Sequence, residues 1–477
     1  MLYVSSKAIH IHELKSRPVS QRVAVSPLNQ PRPKPSQDQT LYTHLWLFVA
    51  LIIGFGCPEK ALASSMEVFG FGARGMATTG AQTSATQDFH AVHYNPSRIV
   101  ARPGSKAGIG TQLFLYDLDF ERAKQDSPYA TLQPESNVGI HFGGSTTFGG
   151  FFKDRLGAAF LFYAPLAQGT RLEQRDPRMP QSYMYQTLPD KMVSSFALAG
   201  ALTSWLNIGF GAQMLASVSG IGETSVFLEQ SRVVKRSFGV DFSHNIVPTA
   251  GLSIDLSEKS VFGVAYRAAV GGPYTLPITV ELIDLGTIEW TSEGTAVWDP
   301  DCIDFGLSQR IPELDLSLFF TLSYALWSRA PAPNSIVSVN YSDPYQAEGE
   351  EPLLYVSSDP INLGASDILI PRLGLEWNPT EPWSFMGGYA YRPTPLPRAS
   401  KAATYLDGNT HILGLGAEYR SEGNEKDNPL PLTLGIAAQW HHIMPRTSEK
   451  EDPLGPTGSV RFLGNSFSLL LELSHDL

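Results

Sequence analysis

Residues 314–326 read LDLSLFFTLSYAL, and this stretch decides the fold. Leu314, Leu316, Leu318, Phe320, Leu322, Tyr324 and Leu326 share one parity; Asp315, Ser317, Thr321 and Ser323 share the other. Successive side chains of a β-strand point to opposite faces, so this alternation predicts a strand between two different environments. The pattern recurs. Leu373, Leu375 and Trp377 oppose Arg372, Gly374 and Glu376; Leu413, Leu415, Ala417 and Tyr419 oppose Gly414, Gly416, Glu418 and Arg420. In 432–440, Leu432, Leu434, Ile436, Ala438 and Trp440 oppose Thr433, Gly435, Ala437 and Gln439.

Working outward, about fourteen such stretches follow one another at the lengths expected of membrane-barrel strands. They span 104–118, 137–148, 154–164, 191–203, 206–218, 246–256, 260–270, 296–310, 314–328, 370–378, 383–391, 410–420, 431–441 and 460–473. Their connections alternate in length. Short turns at 148–154, 203–206, 255–260, 310–314 and 378–383 interleave with long segments at 120–136, 165–190, 219–245, 271–295, 329–369, 392–409 and 442–459. The charged linker 421–430 is the exception. Up-and-down outer-membrane barrels have short periplasmic turns and long outer loops, and this rhythm predicts one. A soluble sandwich alternates too, with its polar face outward, and alternation alone does not say which face is outside. Trp205, Trp377, Trp383, Trp440, Tyr324 and Trp327 fall near predicted strand ends, where interfacial girdles are expected.

The chain has 477 residues, 42 glycines, 17% charged residues and a net charge of −11. Seven basic and three acidic side chains lie in residues 1–63, so the acidic excess belongs to the rest of the chain. That disfavours nucleic acid as a partner, because phosphate binding needs a positive footprint. Mean hydropathy is close to zero, as alternating strands give and helical membrane proteins do not. Residues 45–56, LWLFVALIIGFG, are too short to span a bilayer as a helix and suit the apolar part of an export signal. Ala61-Leu62-Ala63 offers a cleavage site after a long basic leader, which places a signal peptide over 1–63. Cys57 falls in that signal; Cys302 then has no partner for a disulfide and reads as a small strand residue.

Between signal and first strand, residues 64–103 are rich in Gly, Ala and Thr, with neither clean alternation nor a sustained helical stripe. This predicts a compact irregular segment that needs the rest of the chain for its burial. Arg74-Gly75-Met76-Ala77, then Gly80-Ala81, then Tyr94-Asn95-Pro96 resemble the hatch of the FadL family of outer-membrane transporters for long-chain fatty acids and other hydrophobic compounds. Ser97-Arg98 replaces the family's Ala-Gly. The resemblance continues in Tyr163-Ala164-Pro165, similar to the strand whose kink opens a lateral gap in the family's wall, and in Tyr324-Ala325-Leu326-Trp327-Ser328. It extends to 382–391 with the following Pro393-Thr394-Pro395-Leu396-Pro397, and to Asp407, Asn409 and His411. Such barrels usually end on an aromatic residue; this chain ends Ser474-His475-Asp476-Leu477, so either Phe467, Leu469 and Leu471 serve as the insertion signal or the last residues hang free.

The resemblance implies an all-β transmembrane barrel with residues 64–103 as a hatch inside the lumen of the barrel at 104–477. It implies passive uptake: capture by outer loops, transfer to a site in the barrel and lateral release as the hatch shifts. The implied partners are a hydrophobic cargo (fatty acid or aromatic hydrocarbon), outer-membrane lipid and lipopolysaccharide, and the barrel-insertion machinery, around a monomer. No cofactor, metal or enzymatic step is required. From the residues themselves, Phe69, Phe71, Phe89 and Tyr94 either line a pocket or pack on the wall. Asn95, with Pro96, either ties the hatch to the wall or only shapes a turn. Residues 158–164, AAFLFYA, are apolar on both parities, so Phe160, Phe162 and Tyr163 enter as candidates for a greasy conduit or a surface beneath the hatch. Gly143-Gly144-Ser145 lacks the spacing of a nucleophile elbow, and His90/His93 and His441/His442 without a Cys or carboxylate set do not assign a metal. A general hydrophilic porin, a lipid-modifying enzyme and a structural or adhesive barrel are the competing functions.

Overall fold

The computed structural model describes residues 66–123, 126, 129–166, 176–186, 192–227, 232–283, 285–343, 345, 354–421, 431–451 and 458–477. The signal and cleavage site expected in 1–63, and most of the charged linker, lie outside them. Among the described residues fourteen antiparallel strands form the barrel: β1 (Ser105–Arg122), β2 (Asn137–Thr147), β3 (Leu156–Pro165), β4 (Val193–Ala201), β5 (Leu206–Phe227), β6 (Arg232–Ser257), β7 (Ser260–Arg267), β8 (Cys302–Ile311), β9 (Leu316–Ala325), β10 (Ile368–Thr380), β11 (Trp383–Arg392), β12 (Thr410–Arg420), β13 (Leu432–Ser448) and β14 (Val460–Asp476). Each pairs with its sequence neighbour, and β14 returns to β1 from Lys106↔Asp476 to Arg122↔Val460. Closure leaves no strand edge to satisfy, which a barrel in lipid requires.

The wall is turned inside out relative to a soluble protein. In β12, Ile412 and Glu418 are buried inward while Leu413, Leu415 and Tyr419 are exposed, Leu415 to 70%. Leu373, Leu375, Phe385, Leu434, Ile436, Phe467 and Leu469 share that outer surface. The opposite parity carries Gln112, Thr321, Ser323, Gln439, Ser466, Ser468 and Glu472, all buried. A soluble sandwich does the reverse, so the outer face is built for lipid. Trp205, Trp377, Trp383 and Tyr419 crowd the short-turn end of this surface, with Trp383 stacked on Phe385. Trp327, expected in a girdle, is buried instead and packs on Tyr183 and Trp298.

Two expected loops are sheet. The connection expected at 219–245 is the continuation of β5 and β6 into one hairpin, paired as far as Phe227↔Arg232. The connection expected at 271–295 is a second hairpin, Val270–Leu282 with Gly286–Asp299, which also pairs with Ile336–Ser342. Pro300 and Asp301 separate it from β8, so that barrel strand starts at Cys302 rather than at 296. Cys302 itself is a buried strand residue.

The lumen is filled by the N-terminal segment: helices Met66–Phe69, Gly72–Ala77 and Ala91–Tyr94, then a 3-10 turn at Pro96–Val100. Its fit depends on wall glycines. A Cβ would lie 2.3 Å from the Pro96 carbonyl carbon at Gly209, 2.1 Å from Asn95 Oδ1 at Gly251 and 2.6 Å from the Thr83 oxygen at Gly263. On the opposite wall it would lie 2.8 Å from Thr78 at Gly374, 2.5 Å from Thr78 at Gly388 and 2.4 Å from Ala77 at Gly414. Glycine on these inward faces lets plug backbone touch wall backbone.

Candidate functional site

The N-terminal segment, the hatch of the sequence expectation, is held to the wall by polar bonds spread around the bore. Ala73 N–H donates to Glu472 Oε2 on β14 at 2.8 Å. Arg74 forks onto Glu418 on β12 and reaches Glu376 on β10 at 2.6 Å. Burial disfavours the Arg74 charge, but Glu418 and then Glu376 outweigh it and raise its pKa. Gln439 Nε2 donates to the Met76 carbonyl at 2.9 Å, Arg372 to that of Thr79 at 2.6 Å and Arg267 to that of His93 at 3.0 Å.

Asn95 bridges the segment and the wall. Its Nδ2 donates to the carbonyl of Thr83 (2.7 Å) within the hatch and to that of Leu252 (3.2 Å) on β6. Its Oδ1 accepts from Ser97 N–H (3.1 Å) and Ser97 Oγ (2.7 Å), capping the turn that Pro96 begins. Ser97, which departs from the family pattern, therefore has a local role. Tyr94 ties the hatch to itself, its hydroxyl accepting from Phe71 N–H at 2.9 Å and donating to Phe71 C=O at 3.1 Å.

The four hatch aromatics divide. Phe69 faces the long-loop side and packs on Phe114, Tyr185 and His441. Phe71, Phe89 and Tyr94 turn sideways into a cluster with Leu161, Tyr163, Val193 and Ala197. There Phe71 meets the Tyr163 ring edge-on at 5.7 Å, and Phe89 lies over Gly108 of β1 and Gly143 of β2. Phe160 and Phe162 do not join the lumen. Phe160 is 39% exposed on the outer face, where both phenylalanines contact Phe142. The conduit role expected for that pair is corrected: Leu161 and Tyr163 hold the inward parity of β3. Nor does β3 break at 163–165. Its ladder with β2 runs without a register shift to Gly139↔Pro165, while its ladder with β4 ends at Tyr163↔Val193, so the gap expected at 163–165 is closed toward β2 in this conformation.

Above the hatch the lumen changes chemistry. Phe114, Leu118 and Phe120 of β1, Ile368 and Ile370 of β10, Ile443 of β13 and Phe462 of β14 form an apolar wall. Tyr183, Met184, Tyr185, Trp327, Leu396, Tyr405 and Leu406 roof it from the long loops, with Phe69 as floor. The roof is braced by a short parallel pairing of Tyr405–Leu406 with Gln181–Ser182 and by Arg392, whose two Nη groups each donate to Asp407 at 3.0 Å. Asn409 accepts from Thr394 N–H at 3.0 Å, fixing the Pro-rich loop. Sequence reasoning missed this roof because its residues sit in loops with no periodicity.

Below the hatch, at the short-turn end, lies a polar cavity of about 500 Å³ lined by charged groups including Arg74, Asp88, Lys106, Glu376 and Glu472. Burial alone would raise the Asp88 pKa, but His90 and Lys106 outweigh it and hold the carboxyl well below the usual range. His441 faces inward and His442 outward, so the adjacent pair cannot share an ion. His93 meets the Phe71 and Tyr94 rings edge-on, apart from the polar partners of His90.

A closed fourteen-stranded barrel with an apolar outer face, an internal N-terminal plug and an apolar compartment above it defines a plugged transmembrane-barrel fold. The particular fold is of the FadL type. The chain superposes on a Pseudomonas aeruginosa FadL homologue with a TM-score of 0.53 at 13% identity, covering 87% of this chain and 99% of that one. It superposes on the P. putida toluene transporter TodX (TM-score 0.55, 11% identity, 86% and 99% covered) and the Ralstonia pickettii toluene transporter TbuX (0.51, 16%, 86% and 100%). No family model and no curated protein matches the sequence.

Proposed function

We propose that this protein is an outer-membrane channel for passive uptake of hydrophobic molecules, long-chain fatty acids or aromatic hydrocarbons, with hatch-controlled lateral release. In this reading residues 1–63 direct export, 64–103 are the hatch and 104–477 the barrel of a Gram-negative outer-membrane protein. The observation that carries it is the switch in lumen chemistry: an apolar compartment floored by Phe69 above a hatch whose underside is charged. A hydrophilic porin has no use for a compartment that excludes water. Its side chains fill it in this conformation, so cargo enters by displacing the loop-borne roof. Lateral release is supported at β1–β3. There the hatch presents Phe71 and Phe89, the wall thins at Gly108, Gly139 and Gly143, and Phe142 and Phe160 continue the apolar surface outside. The toluene transporters and the FadL homologue of like fold support the cargo class.

The test is uptake in a host lacking its own fatty-acid channel, comparing labelled long-chain fatty acid, a small aromatic and a sugar. Entry of one hydrophobic cargo, reduced in Asn95→Ala, is expected and names the class. Equal entry of the sugar, unaffected by the substitution, leaves a general pore and overturns the proposal.

A further inference from the structure

Where the hatch meets β2 and β14, three buried ligating groups converge: His90 of the hatch, His141 of β2 and Glu472 of β14, each offering a ligand atom within 4.8 Å of the others. His90 Nε2 lies 3.7 Å and His141 Nε2 3.8 Å from Glu472 Oε2. Those gaps are too long for hydrogen bonds. His141 is fully buried, yet neither of its ring nitrogens has a hydrogen-bond partner among the described residues, and neither does His90 Nε2. Three imidazole nitrogens without a hydrogen bond, two of them held only by loose ion pairs to one carboxylate, are costly in a buried place.

From these groups we infer a first-row divalent metal site, of the kind zinc occupies, bound by His90, His141 and Glu472. Zinc takes imidazole and carboxylate ligands near 2.0–2.2 Å in a tetrahedron, which puts ligand atoms about 3.3 Å apart. The two histidine–glutamate separations need to close by only about half an ångström to reach that spacing. Two histidines, one glutamate and an open fourth position form a recurrent zinc set, and the polar cavity beside Glu472 and His90 supplies water for that position and a path for the ion.

The surroundings are built for it. Asp88 Oδ1 accepts from His90 Nδ1 at 2.9 Å, which fixes the tautomer and turns the Nε2 lone pair toward the cluster. Lys106 Nζ holds the other Asp88 oxygen at 3.3 Å. A Cβ at Gly72 would fall 2.5 Å from the His90 ring, and one at Gly110 2.3 Å from that of His141. Both glycines leave the room the imidazoles occupy. With one ligand on the hatch and two on the wall, the ion cross-links plug to barrel. The site stands independently of the transport reading; only a role as a latch on hatch movement rests on it.

The test uses the full chain, purified in detergent and freed of metal with a chelator, titrated with zinc by calorimetry and with cobalt by visible absorption. One ion per chain is expected, with cobalt bands of four- or five-coordinate intensity. His141→Ala and Glu472→Gln are each expected to lower affinity at least 100-fold, and Asp88→Asn, acting through His90, by roughly 10- to 100-fold. His442→Ala, on the outer face, is expected to leave binding unchanged. No saturable binding by folded wild type, or binding indifferent to the first two substitutions, overturns the site. Should those variants lose the heat-modifiable mobility of a folded barrel, X-ray absorption on zinc-loaded wild type decides. Two imidazoles with oxygen ligands support the site, and an all-oxygen shell refutes it. Failure of uptake with intact binding would count against the channel and leave the ion site standing.

Discussion

The guanidinium of Arg74 grips the carboxylate of Glu418, with Nε at 2.9 Å and Nη2 at 2.7 Å from the same Oε2. A plug residue and a wall residue are thereby joined by the geometry that favours arginine over lysine. Arg74→Gln leaves Glu418 and Glu376 facing each other without a cation. Hydrogen bonds to charged groups contribute roughly 1.5–3 kcal/mol each, so local opening of the hatch is expected to become easier by about 2 kcal/mol. Hydrogen exchange at amides 73–80 should then quicken by roughly 30-fold. Unchanged exchange there would show that the fork does not restrain the plug.

Adjacent glycines of β11 predict opposite outcomes for one substitution. Gly388 faces the plug, and a Cβ there meets the Thr78 backbone at 2.5 Å. Gly387 faces out, and its nearest neighbour would be a leucine methyl at 3.6 Å. Gly388→Ala is expected to displace the hatch and raise single-channel conductance in planar bilayers, whereas Gly387→Ala is expected to match wild type. Equal conductance in both would mean that the close approach is dispensable.

Leu415 is the most exposed apolar side chain of β12. Leu415→Arg is expected to lower the unfolding free energy in lipid vesicles by about 2–4 kcal/mol, the cost of arginine near the bilayer midplane. A neutral effect in denaturant titrations would place this face in water.

Asp407 is fully buried against Arg392. Breaking such a pair from one side typically costs about 3–5 kcal/mol because the remaining charge stays buried. Asp407→Ala should expose residues 393–409 to protease at enzyme levels that spare wild type, while strand content by circular dichroism holds. The double variant Arg392→Met with Asp407→Leu should regain much of the resistance. Cleavage of wild type and Asp407→Ala at the same rate would mean that the roof is fastened elsewhere.

The barrel was legible because lipid and lumen impose opposite demands on alternate residues, as in 314–326 and 410–420. Legibility failed where that contrast lapses. Residues 158–164 are apolar on both parities, since the hatch cluster and the lipid both accept phenylalanine, so the sequence does not say that Phe160 faces out and Tyr163 in. The hairpins at 219–245 and 271–295 read as loops because they lie beyond the strand stretches whose faces meet lipid and lumen. Asn95 was visible through its motif, and its bond to Leu252 was not. His90, His141 and Glu472 are brought together only by the plug's seat and the β14–β1 seam, and no local spacing announces them.

That seam also joins the two ends of the order of synthesis. The segment that fills the bore leaves the ribosome before any strand of the cylinder, and the strand that seals the cylinder leaves last. The plug touches the wall around its girth, and β14, the strand that closes the wall onto β1, bonds to it as well. Through Ala73 N–H and Glu472, the segment made first is bonded to the strand made after the other thirteen.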